Sequence, residues 1–248
     1  MTVLQFNNIS YKYPSGTVAL NGVTFTIERG EKVVLMGSNG SGKSSLFLTL
    51  AGVIKPDEGE YLINNKAFRY CKKHRKHLCQ TIGYVFQDPD VQVVSTHVNE
   101  DIAFGLRNIG MKEPEVQERI EQYLASTGIV DLKEKAIHTL SYGQKKQVAV
   151  AGVLAMEPDV IMLDEPFAWL DYSQSKRLKL LLDELSLQGK TIIVSTHDSD
   201  FAYQWGQHAL VMQNGELKAD LSVSELMENE RLMSDFDLAP ISMRMISI

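Results

Sequence analysis

Residues 37–44 read Gly-Ser-Asn-Gly-Ser-Gly-Lys-Ser and directly follow an apolar run at residues 33–36. This order matches G-x-x-x-x-G-K-[ST], a glycine-rich loop between a strand and a helix. The glycines permit a tight turn that aims backbone N–H groups inward, and a helix starting near Lys43 adds the positive end of its dipole. Lys43 supplies a charge and Ser44 a hydroxyl, so the stretch predicts a cradle for nucleotide phosphates and Mg²⁺. The predicted binding residues are Gly37, Ser38, Asn39, Gly40, Ser41, Gly42, Lys43, Ser44 and Ser45.

The composition of the 248-residue chain is that of a soluble globular protein, with 44% hydrophobic and 23% charged residues. A net charge of −6 argues against a nucleic-acid binder. The longest apolar stretch, residues 148–156, is too short to span a bilayer, and the N terminus lacks the features of a secretory signal. Two cysteines make a disulfide framework unexpected. We therefore expect a cytoplasmic location, with any membrane spans supplied by another subunit.

Residues 1–36 have the pattern of short strands joined by turns. Apolar residues alternate with period two at residues 4–6 and 23–27, which predicts strands joined through a hairpin turn at residues 14–16. A helix is predicted at residues 44–52 after the glycine-rich loop, and another strand at residues 59–65.

The pattern becomes helical from residue 89 to about residue 157 and then alternates between strand and helix. Apolar residues recur with helical spacing at Val116, Ile120 and Leu124. Three apolar strand-like runs follow, at residues 160–163, 191–195 and 209–212. A helix between the first two carries Leu178, Leu181, Leu182 and Leu185 on one face. This alternation predicts a parallel sheet covered by helices, hence an α/β fold, with weak helix signals in the tail at residues 222–248.

Polar residues that suit phosphate chemistry follow two of these strands. Asp164 and Glu165 end the first run, and in open α/β sheets ligands bind at this end of the strands. Asp164 suits Mg²⁺, and Glu165 is placed to polarise an attacking water. His197 closes the next strand, where it can hydrogen-bond a γ-phosphate. Each feature alone also fits an ordinary strand end, but together with the glycine-rich loop they predict catalytic roles.

A further stretch, Leu140-Ser141-Tyr142-Gly143-Gln144, resembles the L-S-G-G-Q signature of ATP-binding-cassette (ABC) ATPases. Other family motifs are matched in the family's order: Gln87 resembles the Q-loop, residues 167–171 the D-loop ending at Asp171, and Tyr13 the aromatic residue that stacks on adenine. The resemblance covers about seven-eighths of the chain. It implies a P-loop NTPase ABC nucleotide-binding domain at residues 1–248, with an N-terminal antiparallel β-subdomain and an inserted helical subdomain at about residues 88–157.

The resemblance also implies a mechanism in which two cassettes pack head to tail around ATP. Nucleotide contacts are then expected from Tyr13, residues 37–45, Ser141, Gly143, Gln144 and Asp171, and Mg²⁺ contacts from Ser44, Gln87 and Asp164. Glu165, His197 and Gln87 are the expected catalytic residues. The signature of one cassette meets the γ-phosphate bound by the other, at a helix N terminus that favours anions. One copy alone cannot complete its own site. ATP therefore holds the two copies together, and its hydrolysis loosens the pair.

The chain departs from the family pattern at three positions. Tyr142 replaces the first signature glycine, and Phe167 and Trp169 replace the usual Thr and Gly near the D-loop. Tyr142 is expected to point away from the nucleotide, because a side chain there would otherwise hinder close backbone approach. We interpret these changes as tolerated packing variation that bears on the hydrolysis rate more than on the fold.

Two stretches carry a finer resemblance to energy-coupling factor importers. Residues 87–92, Gln-Asp-Pro-Asp-Val-Gln, and residues 98–105, Val-Asn-Glu-Asp-Ile-Ala-Phe-Gly, are similar to Q-N-P-D-D-Q and V-E-E-D-V-A-F-G of that group. The resemblance implies an ATPase at the cytoplasmic face of a membrane, docked through the segment after Gln87 on a membrane coupling subunit beside a substrate-capture subunit. Cobalt or nickel is the expected solute, and a vitamin is the alternative. A cassette acting on nucleic acid or the ribosome is disfavoured by the absence of heptads, a second cassette or a basic stripe. The intact motifs favour a homodimer, although a heterodimer stays open.

A cluster of cysteines and histidines lies outside these motifs. Cys71, His74, His77 and Cys79 fall within nine residues and have spacings that occur in zinc sites. Lysine and arginine residues between them would repel a divalent ion, so a solvated basic face is the preferred interpretation. A contact with anionic lipid or a partner is a further alternative. The tail methionines Met227, Met233, Met243 and Met245 are expected to pack rather than to bind metal.

Overall fold

The computed structural model describes residues 1–242, of which residues 72 and 73 are described only as backbone. Its strands are β1 (Thr2–Lys12), β2 (Val18–Glu28), β3 (Lys32–Met36), β4 (Glu58–Ile63), β5 (Lys66–Ala67), β6 (Ile82–Val85), β7 (Val160–Asp164), β8 (Thr191–Ser195), β9 (His208–Gln213) and β10 (Glu216–Ser222). Its helices are α1 (Lys43–Leu50), α2 (Lys72–Thr81), α3 (Val98–Ile109), α4 (Glu113–Thr127), α5 (Tyr142–Ala155), α6 (Tyr172–Leu187), α7 (Ser199–Trp205), α8 (Val223–Met227) and α9 (Glu230–Asp235). The described residues form two compact units, one of residues 1–75 and 191–242, the other of residues 76–190.

The first unit contains an antiparallel sheet and a mostly parallel one. The antiparallel sheet has the order β2-β1-β4-β5, and β1 and β2 each run for eleven residues. Both strands are longer than their alternating apolar stretches suggest. Strand β1 pairs with β2 on one side and β4 on the other, so its polar residues also take part in the sheet, and β2 extends alongside it. In the other sheet β3 pairs in parallel with β8 and β9, and β10 pairs antiparallel with β9. The predicted antiparallel β-subdomain is confirmed.

Strand β3 is buried on both faces, as a parallel strand between layers should be. Val33, Val34, Leu35 and Met36 are all fully buried. The hairpin turn predicted at residues 14–16 joins β1 to β2, where the amide of Gly16 donates to the carbonyl of Tyr13 at 2.8 Å. The predicted helix after the glycine-rich loop is confirmed, although it spans Lys43–Leu50 rather than residues 44–52. Strand β3 is thus packed in the core of this unit, and it ends directly before the glycine-rich loop.

The second unit combines three helices of the middle segment with β6, β7 and α6. Val116, Ile120 and Leu124 form the buried face of α4, which confirms their predicted helical spacing. Leu178, Leu181, Leu182 and Leu185 are likewise the buried residues of α6. Strands β6 and β7 pair in parallel, with Val85 opposite Leu163. The carboxyl ends of both strands, and the residues that follow them, therefore lie at one edge.

The tail forms two short helices, α8 and α9, in the first unit. Met227 and Met233 are buried, which confirms packing for these two of the four tail methionines. Met243 and Met245 lie outside the described residues. Ser242, the last described residue, is held by Asp200, since its amide and hydroxyl donate to that carboxylate at 2.7 and 2.6 Å. Among the residues that the structure describes, no helix is both long and apolar enough to cross a bilayer.

Candidate functional site

The glycine-rich loop connects the buried strand β3 to α1 in the first unit. The ammonium of Lys43 turns back over the loop and donates to the carbonyls of Gly37 at 2.6 Å and Ser38 at 3.0 Å. Gly42 stands at the N-cap and has no side chain to cap α1, so the helix start presents backbone N–H groups of the kind that anions bind. The hydroxyl of Ser41 is buried and has no partner among the described residues. A nucleotide phosphate fits this combination of a cation, backbone donors and an unpaired hydroxyl.

Two other predicted site residues belong to the same unit as the loop. The hydroxyl of Tyr13 lies 3.0 Å from that of Ser45 in α1, and its ring packs edge-on against Tyr11 at 5.0 Å. His197 is exposed and lies two residues beyond the end of β8. Because β8 is parallel to β3, and the amide of Thr196 donates to the carbonyl of Leu35 at 3.1 Å, His197 leaves the sheet at the edge where the loop begins. The structure therefore places this histidine at the edge of the sheet where the phosphate loop begins.

In the second unit the predicted catalytic residues follow two paired strands. Gln87 comes two residues after β6, and Asp164 is the last residue of β7. Asp164 is 96% buried, and one of its carboxylate oxygens accepts a hydrogen bond from the hydroxyl of Tyr84 at 3.3 Å. Glu165 has a φ of +41°, which is uncommon for a residue with a side chain. Strained backbone of this kind persists where packing enforces it, often at functional sites.

A buried lysine ties these strand ends to α5. Lys146 is fully buried, and its ammonium donates to the carbonyls of Phe86 at 2.7 Å, Gln87 at 3.0 Å and Asp164 at 3.3 Å. Burial lowers its pKa to about 8, although the nearby carboxylates of Asp164, Glu165 and Asp88 act in the opposite direction. No sequence motif pointed to Lys146 or Tyr84 as site residues. A signal for Lys146 was nevertheless available in the sequence. Lys146 lies three positions before Ala149 and four before Val150, which places a charged residue on the buried, apolar face of α5.

The signature-like stretch forms the capped start of α5. The hydroxyl of Ser141 accepts from the amide of Gln144 at 3.3 Å, and the side-chain oxygen of Gln144 accepts from the amide of Ser141 at 3.0 Å. This reciprocal pair is a capping box, so the predicted nucleotide contact Gln144 also has a structural role. Gly143 packs closely, since a Cβ there would lie 2.8 Å from the side-chain oxygen of Gln174 and 3.0 Å from the carbonyl of Trp169.

Two of the three departures from the family pattern contact each other. The rings of Tyr142 and Trp169 lie 5.1 Å apart, and Trp169 is 53% exposed with a φ of +64°. The hydroxyl of Tyr142 donates to Asp88 at 3.3 Å, and the ammonium of Lys145 lies over its ring. The third departure, Phe167, packs under the ammonium of Lys179. The replaced glycines are thus accommodated by an aromatic pair on the surface that carries the signature stretch.

Asp171, the predicted D-loop residue, begins the next helix. Its carboxylate accepts from the amide of Gln174 at 2.8 Å and so caps α6. The side-chain amide of Gln174 in turn donates to Gln147 of α5 at 3.1 Å. Asp171 therefore stabilises α6 whatever further contact it makes, and the hydrogen bond between glutamines connects α6 to the signature helix.

The cysteine and histidine cluster does not form a metal centre in the part of the chain that the structure describes. Within residues 1–242, no group of three or more His, Cys, Asp or Glu side chains is arranged to hold a metal ion. His74 instead uses its Nδ1 to accept a hydrogen bond from the amide of Arg69 at 3.2 Å. Burial raises the pKa of the Cys79 thiol, which disfavours the thiolate that metals bind.

Comparisons with known proteins agree with these motifs. A sequence model of the family described as ABC transporter matches residues 20–168. The energy-coupling factor transporter ATP-binding protein EcfA2 of Methanospirillum hungatei is 42% identical over 93% of this chain and 58% of its own length. EcfA of Methanocaldococcus jannaschii is 42% identical over 88% of this chain and 78% of its own. The chain spans little more than half the length of the first two curated relatives it matches.

Solved structures show the same fold. The structure of cbiO1 from Clostridium perfringens, part of the ABC transporter complex cbiONQ, has a TM-score of 0.81 at 40% identity and covers 94% of each chain. A dimeric ATP-binding cassette in a post-hydrolysis state with ADP and Pi has a TM-score of 0.82 at 28% identity, covering 89% of this chain and 98% of that one. These likenesses confirm the predicted α/β cassette fold.

Proposed function

The chain belongs to the ABC transporter family, and we propose from this premise that it is the ATP-binding and ATP-hydrolysing subunit of an energy-coupling factor importer. The observation that carries the proposal is the complete, ordered set of cassette motifs in a chain about 40% identical to energy-coupling factor ATP-binding proteins over nearly its whole length. We also propose that residues 1–248 act as one nucleotide-binding domain, with its helical subdomain at about residues 88–157.

The first unit supplies the groups that hold the triphosphate. Lys43 exchanges its bonds to the loop carbonyls for the β- and γ-phosphates, and the N terminus of α1 faces the same anion. Ser44 provides a hydroxyl oxygen for Mg²⁺, an ion that prefers hard oxygen ligands and neutralises charge on the phosphates. Tyr13 stacks on the adenine, and His197 hydrogen-bonds the γ-phosphate from the neighbouring strand end.

The second unit supplies the groups that act on water and on the metal. Asp164 and Gln87 offer oxygen atoms suited to Mg²⁺ or its water shell. Glu165 holds and polarises the water that attacks the γ-phosphorus and takes up its proton, while the bond from that phosphorus to the bridging oxygen of ADP breaks. Ser141 and the amide of Gly143 bind the γ-phosphate of a second copy, because they start a helix whose N terminus favours an anion.

A second cassette, and most simply an identical one, completes each site. In a symmetric pair the phosphate loop of each copy meets the signature of the other, so each copy owns half of two sites. ATP then stabilises the pair by mass action, since it binds the closed dimer better than the separate copies. The dimeric solved cassette with ADP and Pi supports this arrangement.

A mixing experiment tests the shared site. Lys43→Ala and Ser141→Ala are each expected to lose ATP hydrolysis as purified proteins. Mixing them creates dimers that have one intact loop facing one intact signature, so activity returns to about a quarter of wild type when the copies exchange at random. Two inactive variants that stay inactive on mixing, although they exchange subunits, would contradict a site built from two copies.

A groove in the second unit offers a docking surface for the membrane coupling subunit. It has a volume of about 400 Å³ and is lined largely by apolar atoms, including those of Val94, Phe104 and Met156. Phe104 is 51% exposed, and Asp101 holds the rim by accepting hydrogen bonds from the amides of Val94 and Ser95 at 2.8 and 2.9 Å. A short amphipathic helix of the coupling subunit suits such a groove.

A charge placed in this groove tests the docking. Phe104→Asp is expected to lose co-purification with the co-expressed membrane coupling subunit while keeping ATP binding, because it puts a carboxylate into an apolar contact. Leu187→Asp, a matched change at a fully solvated position at the end of α6, is the control and is expected to keep both. Equal retention of the coupling subunit by both variants would rule out this groove as the docking site.

We propose cobalt or nickel as the imported solute, and the cytoplasmic face of the membrane as the place where the subunit works. The similarity to cbiO1, part of the transporter complex cbiONQ, supports an assembly with further subunits. Proteoliposomes of the co-expressed complex, supplied with ATP and radiolabelled cobalt or nickel, test the solute directly. Uptake of a vitamin instead would move the chain to the vitamin branch, and the Glu165→Gln complex serves as the inactive control.

A further inference from the structure

Lys146 is a fully buried charge whose cost must be offset locally. A lysine ammonium has three N–H donors, and this one has three acceptors, all of them backbone carbonyl oxygens. Among the residues that the structure describes, main-chain carbonyls rather than a carboxylate therefore fill its three donors. An ammonium held only by carbonyls fixes the positions of the chain segments that supply them.

Those segments carry the predicted active residues of the second unit. Two of the carbonyls belong to Phe86 and Gln87 and follow β6, and the third belongs to Asp164 at the end of β7. Lys146 lies five positions after Ser141 on the same helix. One side chain thus links the helix that begins at the signature with both strand ends.

Tyr84 holds Asp164 from the other side. Its ring is 91% buried and lies 4.3 Å from that of Phe86, and its hydroxyl donates to one carboxylate oxygen of Asp164 at 3.3 Å. Asp164 is consequently held at its main-chain carbonyl by Lys146 and at its side chain by Tyr84.

We propose that Lys146 and Tyr84 are positioning residues that orient Asp164 and Gln87 toward the Mg²⁺–nucleotide. The inference rests on the proposed ATPase function and deepens it. Neither residue touches the nucleotide in this proposal; each acts through the residue it holds. Their loss therefore weakens the metal-dependent part of nucleotide binding and the hydrolysis step, and spares the phosphate loop in the other unit.

Two variants and a control separate this role from a merely structural one. Tyr84→Phe removes only the hydroxyl, and Lys146→Met keeps the length of the side chain without its donors. Lys190→Met is the control, because the ammonium of Lys190 also donates to a backbone carbonyl, that of Glu157 at 3.0 Å, but on the surface. Affinity for a fluorescent ATP analogue is measured once with EDTA and once with Mg²⁺, and kcat and KM for ATP are measured separately.

The expected result is a split between the readouts. With EDTA all variants bind the analogue within about 2-fold of wild type, because the phosphate loop is unchanged. The gain in affinity on adding Mg²⁺ and the value of kcat both fall, by about 3- to 10-fold in Tyr84→Phe for one lost hydrogen bond and further in Lys146→Met. KM for ATP in excess Mg²⁺ rises by about the factor that the Mg²⁺ gain loses, and Lys190→Met behaves as wild type.

Tyr84→Phe decides the test if Lys146→Met does not fold. A Tyr84→Phe protein with an unchanged Mg²⁺ gain and unchanged kcat would overturn the inference, and so would equal losses of affinity with and without Mg²⁺. Failure of the proposed function looks different, because the wild-type protein would then neither bind nor hydrolyse the Mg²⁺–nucleotide. The two failures are therefore distinguishable in one data set.

Discussion

Replacing Gly37 by alanine tests whether close packing behind the phosphate loop determines the stability of the first unit. Gly37 has a φ of +134°, and a Cβ built on it would lie 2.1 Å from the carbonyl oxygen of Met212 in β9. It would also lie 2.9 Å from the hydroxyl of Ser41. A serine side chain can rotate away, but the carbonyl belongs to a strand paired on both sides, so loop or sheet must shift by nearly 1 Å.

Gly40 in the same loop provides a matched comparison. It also has a positive φ, +78°, but a Cβ there meets no heavy atom within 4 Å. Gly40→Ala is therefore expected to cost only the backbone strain, about 1–2 kcal/mol. Gly37→Ala adds an overpacking cost of about 1–3 kcal/mol, for a total of about 2–5 kcal/mol. The predicted difference between the two variants is thus about 1–3 kcal/mol, a sizeable part of the stability of a typical domain.

Urea unfolding followed by tryptophan fluorescence measures this difference. The chain has two tryptophans, and Trp205 is buried in the first unit, so a Trp169→Phe background reports on that unit. Both glycine variants are compared at equal m-values, so that a change in midpoint reflects stability. Equal free energies of unfolding for Gly37→Ala and Gly40→Ala, within about 0.5 kcal/mol, would refute the argument from the Met212 carbonyl.

Three further outcomes are expected. Glu165→Gln should lose ATP hydrolysis yet accumulate an ATP-bound dimer in size-exclusion chromatography, and full turnover by this variant would show that another group activates the water. The Nε2 of His208 lies 2.6 Å from a carboxylate oxygen of Asp220. This hydrogen bond, with a smaller contribution from Glu31, raises the pKa of His208, although partial burial acts to lower it. The contribution of charged His208 to stability, about 1 kcal/mol, is therefore fully present below its pKa in the unfolded chain, about 6.5, and is lost as pH rises through its higher pKa in the folded protein. The free energy of unfolding of wild type minus that of His208→Asn should therefore shrink between pH 5.5 and pH 9. Trp169→Gly loses a ring contact worth about 0.5–1.5 kcal/mol but relieves the positive φ by about 1–2 kcal/mol, so its stability should lie between about 0.5 kcal/mol below and about 1.5 kcal/mol above that of wild type, whereas Trp169→Val should be clearly less stable in thermal unfolding.

Local features of this protein can be predicted from the sequence because local geometry dictates the residue types. The phosphate loop needs glycine, lysine and serine at fixed spacing, and the buried strand before it needs an apolar run. Capping residues such as Ser141 and Asp171 mark helix starts, and the leucines of α6 reveal its buried face. These signals together with the family resemblance predict the cassette fold, and the solved structures confirm that fold.

Long-range contacts were decided only in the folded chain. No spacing indicates that Lys146 meets carbonyls 60, 59 and 18 residues away, or that Tyr84 reaches a carboxylate 80 residues later. The pairing of Tyr142 with Trp169 was equally invisible, so two separate departures from the family pattern turned out to be one contact. The physical reason is that the local backbone conformation determines the residue types of a motif, so neighbouring residues reveal it. The partner of a buried polar group depends instead on which distant segment packs beside it, and only the folded chain determines that.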